Sequence, residues 1–262
     1  VRLTEAGQRL ADDTRGSFAH IAQALTQVQD MASQPSGMLR VTAPVAFARQ
    51  QLVPQLSGFL HAYPQVRLEL DMSDRLVNLA HEGFDLAIRH TDHPPDTHVA
   101  WTLCATRSVL VASPAYLARH GAPLQPDDLR QHNCLHYPRP NETPAWTWVS
   151  HTQSMPVDRV TVPVKGGFTA NNSEALRDAA LSGLGVALVP DFSARTALQT
   201  GHLVEVLPNW RVVGAFAEHV YAIRPYAAHV PRAVQVFVAY MRQCLGTNAE
   251  ESKVLWSSDS DK

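Results

Sequence analysis

Met38-Leu39-Arg40-Val41-Thr42-Ala43-Pro44-Val45-Ala46-Phe47 is the stretch on which the reading of this fold turns. Residues 38–42 form an apolar strand, and the residues after them change period. Leu52, Val53, Leu56, Phe59, Leu60 and Tyr63 mark one helical face, ended by Pro64. Val66–Met72 alternates as a strand, with Arg67, Glu69 and Asp71 on one side. A short helix with Leu76, Leu79 and Ala80 stops at Gly83, and residues 84–89 return to strand. Strands separated by such helices predict βαβ units and a largely parallel sheet.

The same grammar repeats further on. Residues 109–112, 134–137, 160–164, 186–189 and 220–223 read as strands, and Pro114, Ser173 and Asp191 each open a helix. Pro231 starts a last helix with Val234, Phe237, Val238, Met241 and Leu245 inward, and residues 246–262 read as a polar tail. Upstream, residues 4–33 hold no proline. Ala11, Thr14, Phe18, Ile21, Leu25, Val28 and Ala32 alternate spacings of three and four, a heptad seam. Thr4 caps this helix and residues 33–37 stop it. Phe18, Ile21, Leu25 and Val28 are its expected oligomerisation contacts.

Bulk properties exclude several classes. The 262 residues are 45% hydrophobic and 18% charged, with a net charge of −2, so nothing draws the whole chain toward nucleic acid. No apolar run approaches the ~20 residues of a membrane span, and the cytoplasm is the expected compartment. Cys104, Cys134 and Cys244 are odd in number and far apart, which argues against a disulfide framework.

Catalytic phrases are absent: the chain has no G-x-S-x-G, P-loop, C-x-x-C or H-E-x-x-H. Gly183-Leu184-Gly185 precedes a strand instead of opening a helix, so it reads as a helix stop and tight turn. His132, Cys134 and His136 alternate and could ligate zinc from one strand face, but no fourth ligand is evident. The plain alternative is a partly buried Cys between surface histidines. The loop from His90 to His98 is read as polar, and neither metal nor cofactor is expected.

A binding site is expected instead beyond the carboxyl ends of the strands. Thr42, Val45, Ala46 and Phe47 follow the first strand, Ser73 the second, and Arg89 the third. Tyr137, Asn171, Asn172 and Ser173 face them from the second half. Free N–H groups at helix starts and the Arg89 guanidinium suit an anion. Helix capping by Ser73 and residues 171–173 is the competing plain role.

Seven phrases in order resemble the LysR-type transcriptional regulators. They are residues 38–47, 52–64, Ser73-Asp74-Arg75, 84–89, 112–117, 132–135 and 183–190. Leu3-Thr4-Glu5-Ala6-Gly7 is similar to the family's junction between wing and linker helix. One departure is His90-Thr91-Asp92, where relatives often carry a glycine turn.

The resemblance implies an α/β fold of two Rossmann-like lobes of the periplasmic-binding-protein type. Two crossover strands would join the lobes, and a long linker helix would precede them. Expected parts are 1–37, wing remnant and linker helix; 38–110, lobe I completed by 227–247; 111–226, lobe II; and 248–262, a tail. It further implies a small-molecule effector between the lobes, a homodimer or homotetramer, and promoter DNA read through a winged helix-turn-helix mostly missing here. The rival readings are a periplasmic-type solute binder, which would need no heptad helix, and an enzyme on the same fold.

Overall fold

Leu39, Val41 and Ala43 are fully buried in β1 (Gly37–Ala43), and so is Thr42 between them. At its carboxyl end this strand is therefore covered on both faces. In this computed structural model the described residues are 4–10, 13–14, 16–17, 21, 24, 34–75, 78–138, 143–150, 159–227 and 229–257. β2 (Val66–Met72) and β3 (Leu86–His90) flank β1 in parallel. β12 (His219–Pro225) pairs antiparallel with β3, and β4 (His98–Ala105) closes that edge against β12.

From β1 to β2 the chain runs through Val45–Phe47, a π-helical turn Ala48–Leu52 and α1 (Val53–Ala62). α2 (Leu79–Glu82) is capped by Asn78, which accepts from the His81 N–H, and ends at Gly83 with φ 72°.

The second lobe has two sheets. One has the order β10-β5-β9-β6, from β10 (Val204–Glu205), β5 (Ser108–Ala112), β9 (Val186–Pro190) and β6 (Cys134–Leu135). Only β6 and β9 run parallel in it. The other is antiparallel throughout: β11 (Trp210–Val213), β7 (Ala145–Ser150), β8 (Arg159–Pro163). Parallel pairing is thus limited to β2-β1-β3 and to β6-β9, and both lobes are mixed rather than largely parallel. The chain passes from β4 to β5 and back from β11 to β12, and strands that leave and return run against their neighbours.

α3 (Pro114–His120), α4 (Ser173–Leu181) and α5 (Asp191–Gln199) belong to this lobe. Trp146 and Trp148 alternate inward from β7, with Trp148 only 1% exposed. The chain changes sheets at Thr106–Arg107 and again before His219, whereas the reading above divided it at 110 and 226.

α6 (Arg232–Ser257) returns to the first lobe, where Val234, Phe237, Val238, Met241 and Leu245 are buried. Phe237 meets Phe59 of α1 edge to face at 5.1 Å. The helix continues to Ser257 rather than giving way to a tail after 245, and residues 258–262 lie outside the described residues.

Near the start, residues 5–10 are helical and Thr4 Oγ1 accepts from the Gly7 N–H at 3.2 Å, the cap read from sequence. Of the seam, Phe18, Leu25 and Val28 lie outside the described residues, while Ile21 is helical and 55% exposed. Among the described residues no helix is long and apolar enough to cross a membrane.

Candidate functional site

At the carboxyl ends of β1 and β3, Thr42 and Arg89 meet. Arg89 Nη2 donates to Thr42 Oγ1 at 3.1 Å and to the Arg75 carbonyl at 3.4 Å. Arg89 Nη1 donates to the Ile88 carbonyl at 2.8 Å, and Thr42 Oγ1 donates to Asp71 at 3.3 Å. Among the described residues the rest of the guanidinium fork has no partner, so donors remain for an incoming acceptor. Burial pulls the Arg89 pKa down while Asp71 and Asp74 pull it up. It remains a cation in a partly dry setting, where one is worth most to an anion.

Asp74 connects the two walls. Its Oδ1 accepts from the Val45 N–H at 3.2 Å and its Oδ2 from Asn172 Nδ2 at 3.4 Å. Asn172 Oδ1 in turn caps α4, accepting from the Glu174 and Ala175 N–H groups at 3.0 and 3.2 Å. Both helix starts expected to receive an anion are therefore held by side chains of the chain itself. Ser173 Oγ lies 2.6 Å from Ser193 Oγ, and the Tyr137 phenol lies near Ser173, which favours its ionised form. Burial pushes that phenol up to about 12, so it stays protonated.

A second bridge comes from the π-helical turn. Arg49 Nη1 and Gln50 Nε2 each donate to Glu174 at 3.0 Å. Phe47 lies edge to face with Phe192 of α5 at 5.3 Å. The widened turn sets two neighbouring polar side chains toward the other lobe, a local irregularity often found at functional sites.

The structure thus brings together Thr42, Val45, Arg89, Tyr137, Asn172 and Ser173. Ala46 and Phe47 do not line the crevice openly; at 5% and 2% exposure they belong to the first lobe's core. The Ser73 hydroxyl accepts from the Arg75 N–H in a local turn, and Asn171 is exposed and makes none of these bonds. Arg49, Gln50 and Glu174 were missed; Asp74 was placed with Ser73 after the second strand, but without a role. The available signal was Arg49-Gln50-Gln51, a polar run directly after the apolar Val45-Ala46-Phe47-Ala48.

The histidine–cysteine cluster has its own partners. His132 Nδ1 lies 3.2 Å from the Tyr116 hydroxyl, His136 Nδ1 lies 3.0 Å from the Cys134 carbonyl, and the Cys134 thiol donates to the Leu129 carbonyl. Both histidines are buried rather than at the surface, a correction to the plain reading. Burial pushes the Cys104 and Cys134 thiols up to about 12, which leaves little thiolate for reaction.

His90, beside Arg89, stacks on Phe216 at 6.1 Å and lies 2.6 Å from the Ala217 carbonyl through Nε2. Burial lowers its pKa, opposed by that hydrogen bond and by Asp191 and Asp92. With the folded value below the unfolded one of about 6.5, the unfolded chain takes the proton more readily. Stability is therefore full above about pH 7 and falls as pH drops through 6.5 toward the folded value; His132, also lowered by burial, acts the same way. Urea midpoints at about pH 7.5 and 5.5 should differ less in His90→Gln than in wild type. An identical difference would discard this role.

Two α/β lobes with facing polar groups at strand and helix ends define a two-lobed ligand-binding domain. The profile of the LysR substrate binding domain matches residues 32–245. The HTH-type transcriptional regulator PtxR of Pseudomonas aeruginosa is 34% identical over 247 residues, covering 94% of this chain and 76% of PtxR. Full-length AphB, a Vibrio cholerae virulence activator, aligns with TM-score 0.71 at 27% identity, over 93% of this chain and 81% of AphB. The regulatory domain of CrgA from Neisseria meningitidis aligns with TM-score 0.68 at 29% identity, over 81% and 100%. The chain belongs to the LysR-type transcriptional regulators and contains their effector-binding domain; its relatives are regulators, not enzymes.

Proposed function

We propose that this domain senses a small anionic or polar metabolite held between its lobes, at Arg89, Thr42, Val45 and Asn172. The observation that carries this is Asp74, a carboxylate of one lobe seated on the Val45 N–H and on Asn172 of the other. An effector carboxylate binding Arg89 and the same N–H displaces Asp74 and resets the angle between the lobes. To shift that equilibrium it must bind one arrangement better than the other, and allosteric couplings are typically about 1–3 kcal/mol.

The linker helix, whose Ile21 is exposed on the single chain, carries the change to winged helix-turn-helix heads in a cytoplasmic homodimer or homotetramer bound at promoter DNA. A thermal-shift panel of short-chain and aromatic carboxylic acids tests the reading. At least one acid should raise the wild-type midpoint, and Asn172→Ala should reduce that rise. A hit that responds equally in Asn172→Ala would contradict the placement.

A further inference from the structure

Two segments carry the chain between the lobes, Thr106–Arg107 on the way out and residues 214–218 on the way back. They are joined where the Thr106 N–H donates to the Glu218 carbonyl at 2.9 Å. Each is also fastened to one lobe by an acid. Asp191, the first residue of α5, accepts from Thr106 Oγ1 at 2.8 Å and from the Arg107 N–H at 3.4 Å, which holds the outgoing segment to the second lobe. Asp92, just beyond β3 of the first lobe, accepts from the Glu218 N–H at 2.8 Å. His90 ends β3 and adds two contacts to the same returning segment. Its Nε2 lies 2.6 Å from the Ala217 carbonyl, and its ring stacks on Phe216 at 6.1 Å with 4° between the planes. A carbonyl only accepts, so Nε2 carries the proton here.

We propose that His90 and Asp92 are positioning residues of the hinge: they clamp residues 216–218 to the first lobe and so hold the lobe angle from which an effector starts. A hinge moves at the few residues that absorb a change in φ and ψ. With 216–218 pinned, the return segment pivots on its second-lobe side, at Gly214, whose φ of 74° suits glycine. Phe216 is gripped from both lobes, by His90 of the first and by Tyr137 of the second, edge to face at 5.0 Å. Rotation of one lobe against the other therefore works against one of these ring contacts or against the Asp92 hydrogen bond. The clamp deepens the sensing reading and rests on it for its purpose. Its test needs no effector, so a failed acid panel and a failed clamp are separate results.

Spin labels on cysteines at exposed Ser57 and Asp127, in the full chain carrying Cys244→Ser, read the distance between the lobes without added acid. The double variant His90→Ala/Asp92→Ala should broaden the distance distribution and shift the ratio of lobe arrangements at least about fivefold, the worth of one net hydrogen bond. Asp92→Asn keeps an acceptor oxygen and should match wild type. Asp96→Ala, at an exposed acid of the same loop, should match it too. Asp92→Ala alone, at an exposed position, should move the distribution in the same direction as the double variant, and it decides the matter if the double variant does not fold. A wild-type distribution in Asp92→Ala overturns the clamp. Equal broadening in Asp92→Asn or Asp96→Ala overturns it as well, because neither removes the acceptor on which the clamp depends.

Discussion

Arg89→Gln is expected to weaken the acid that stabilises the wild-type cleft by roughly 30- to 1,000-fold, about 2–4 kcal/mol. The reason is the setting of the guanidinium. It is partly buried, tied by Thr42 and two carbonyls, and opposed by Asp71 and Asp74. A glutamine keeps a hydrogen-bond donor near Thr42 but removes the charge. Without the cation, a carboxylate entering between Asp71 and Asp74 meets only repulsion. The fold should survive, since Thr42 still reaches Asp71 and one of the two Arg89 carbonyl partners is the adjacent Ile88. Calorimetric titration of the panel acid decides it. Equal affinities in the two proteins would remove Arg89 from the site.

Gly185→Ala is expected to destabilise the second lobe by about 3 kcal/mol or more. A Cβ at Gly185 would lie 2.1 Å from the Asn133 carbonyl oxygen and 3.1 Å from its carbon. That same oxygen accepts from the Val186 N–H at 3.0 Å, next to the parallel pairing of Cys134 with Val186. Backbone on both sides leaves nothing to swing away, so β6 and β9 must separate. Gly201→Ala is the informative comparison. Its φ is +72° with nothing within 4 Å of the added carbon, so only backbone strain of about 1 kcal/mol is at stake. Urea denaturation should rank Gly185→Ala well below Gly201→Ala. The reverse order would mean that left-handed backbone, not the close approach, governs this lobe.

Much of the fold was legible where burial imposes a period. β1, the helix after it and β2 were read from their apolar spacing, and the buried face of α6 from Val234, Phe237, Val238, Met241 and Leu245. Of the antiparallel β11-β7-β8 sheet only β8 was, as residues 160–164. Its strands are only four to six residues long, although Trp146 and Trp148 alternate plainly with polar neighbours. β4 went unread between the polar loop ending at His98 and the strand at 109–112, because its residues are mostly half-buried and show no clean alternation.

The site was legible in part. Strand-end positions gave Thr42 and Arg89, and the helix start gave Asn172 and Ser173. The Asp74–Asn172 and Arg49–Glu174 contacts join residues 98 and 125 positions apart. No local pattern encodes such pairs; only the return of the chain through two crossings creates them.

The most direct measurement is the distance between the lobes with and without ligand. Spin labels on cysteines introduced at exposed Ser57 in the first lobe and Asp127 in the second report it, in a background where Cys244 is replaced by Ser. The Cys104 and Cys134 thiols, held at about 12, should stay unlabelled. Saturation with the acid selected by the thermal-shift panel should move the distance distribution to a new, narrower peak. The shift should be absent in Arg89→Gln at the same acid concentration. A distribution unchanged while calorimetry shows the acid bound would contradict sensing between the lobes.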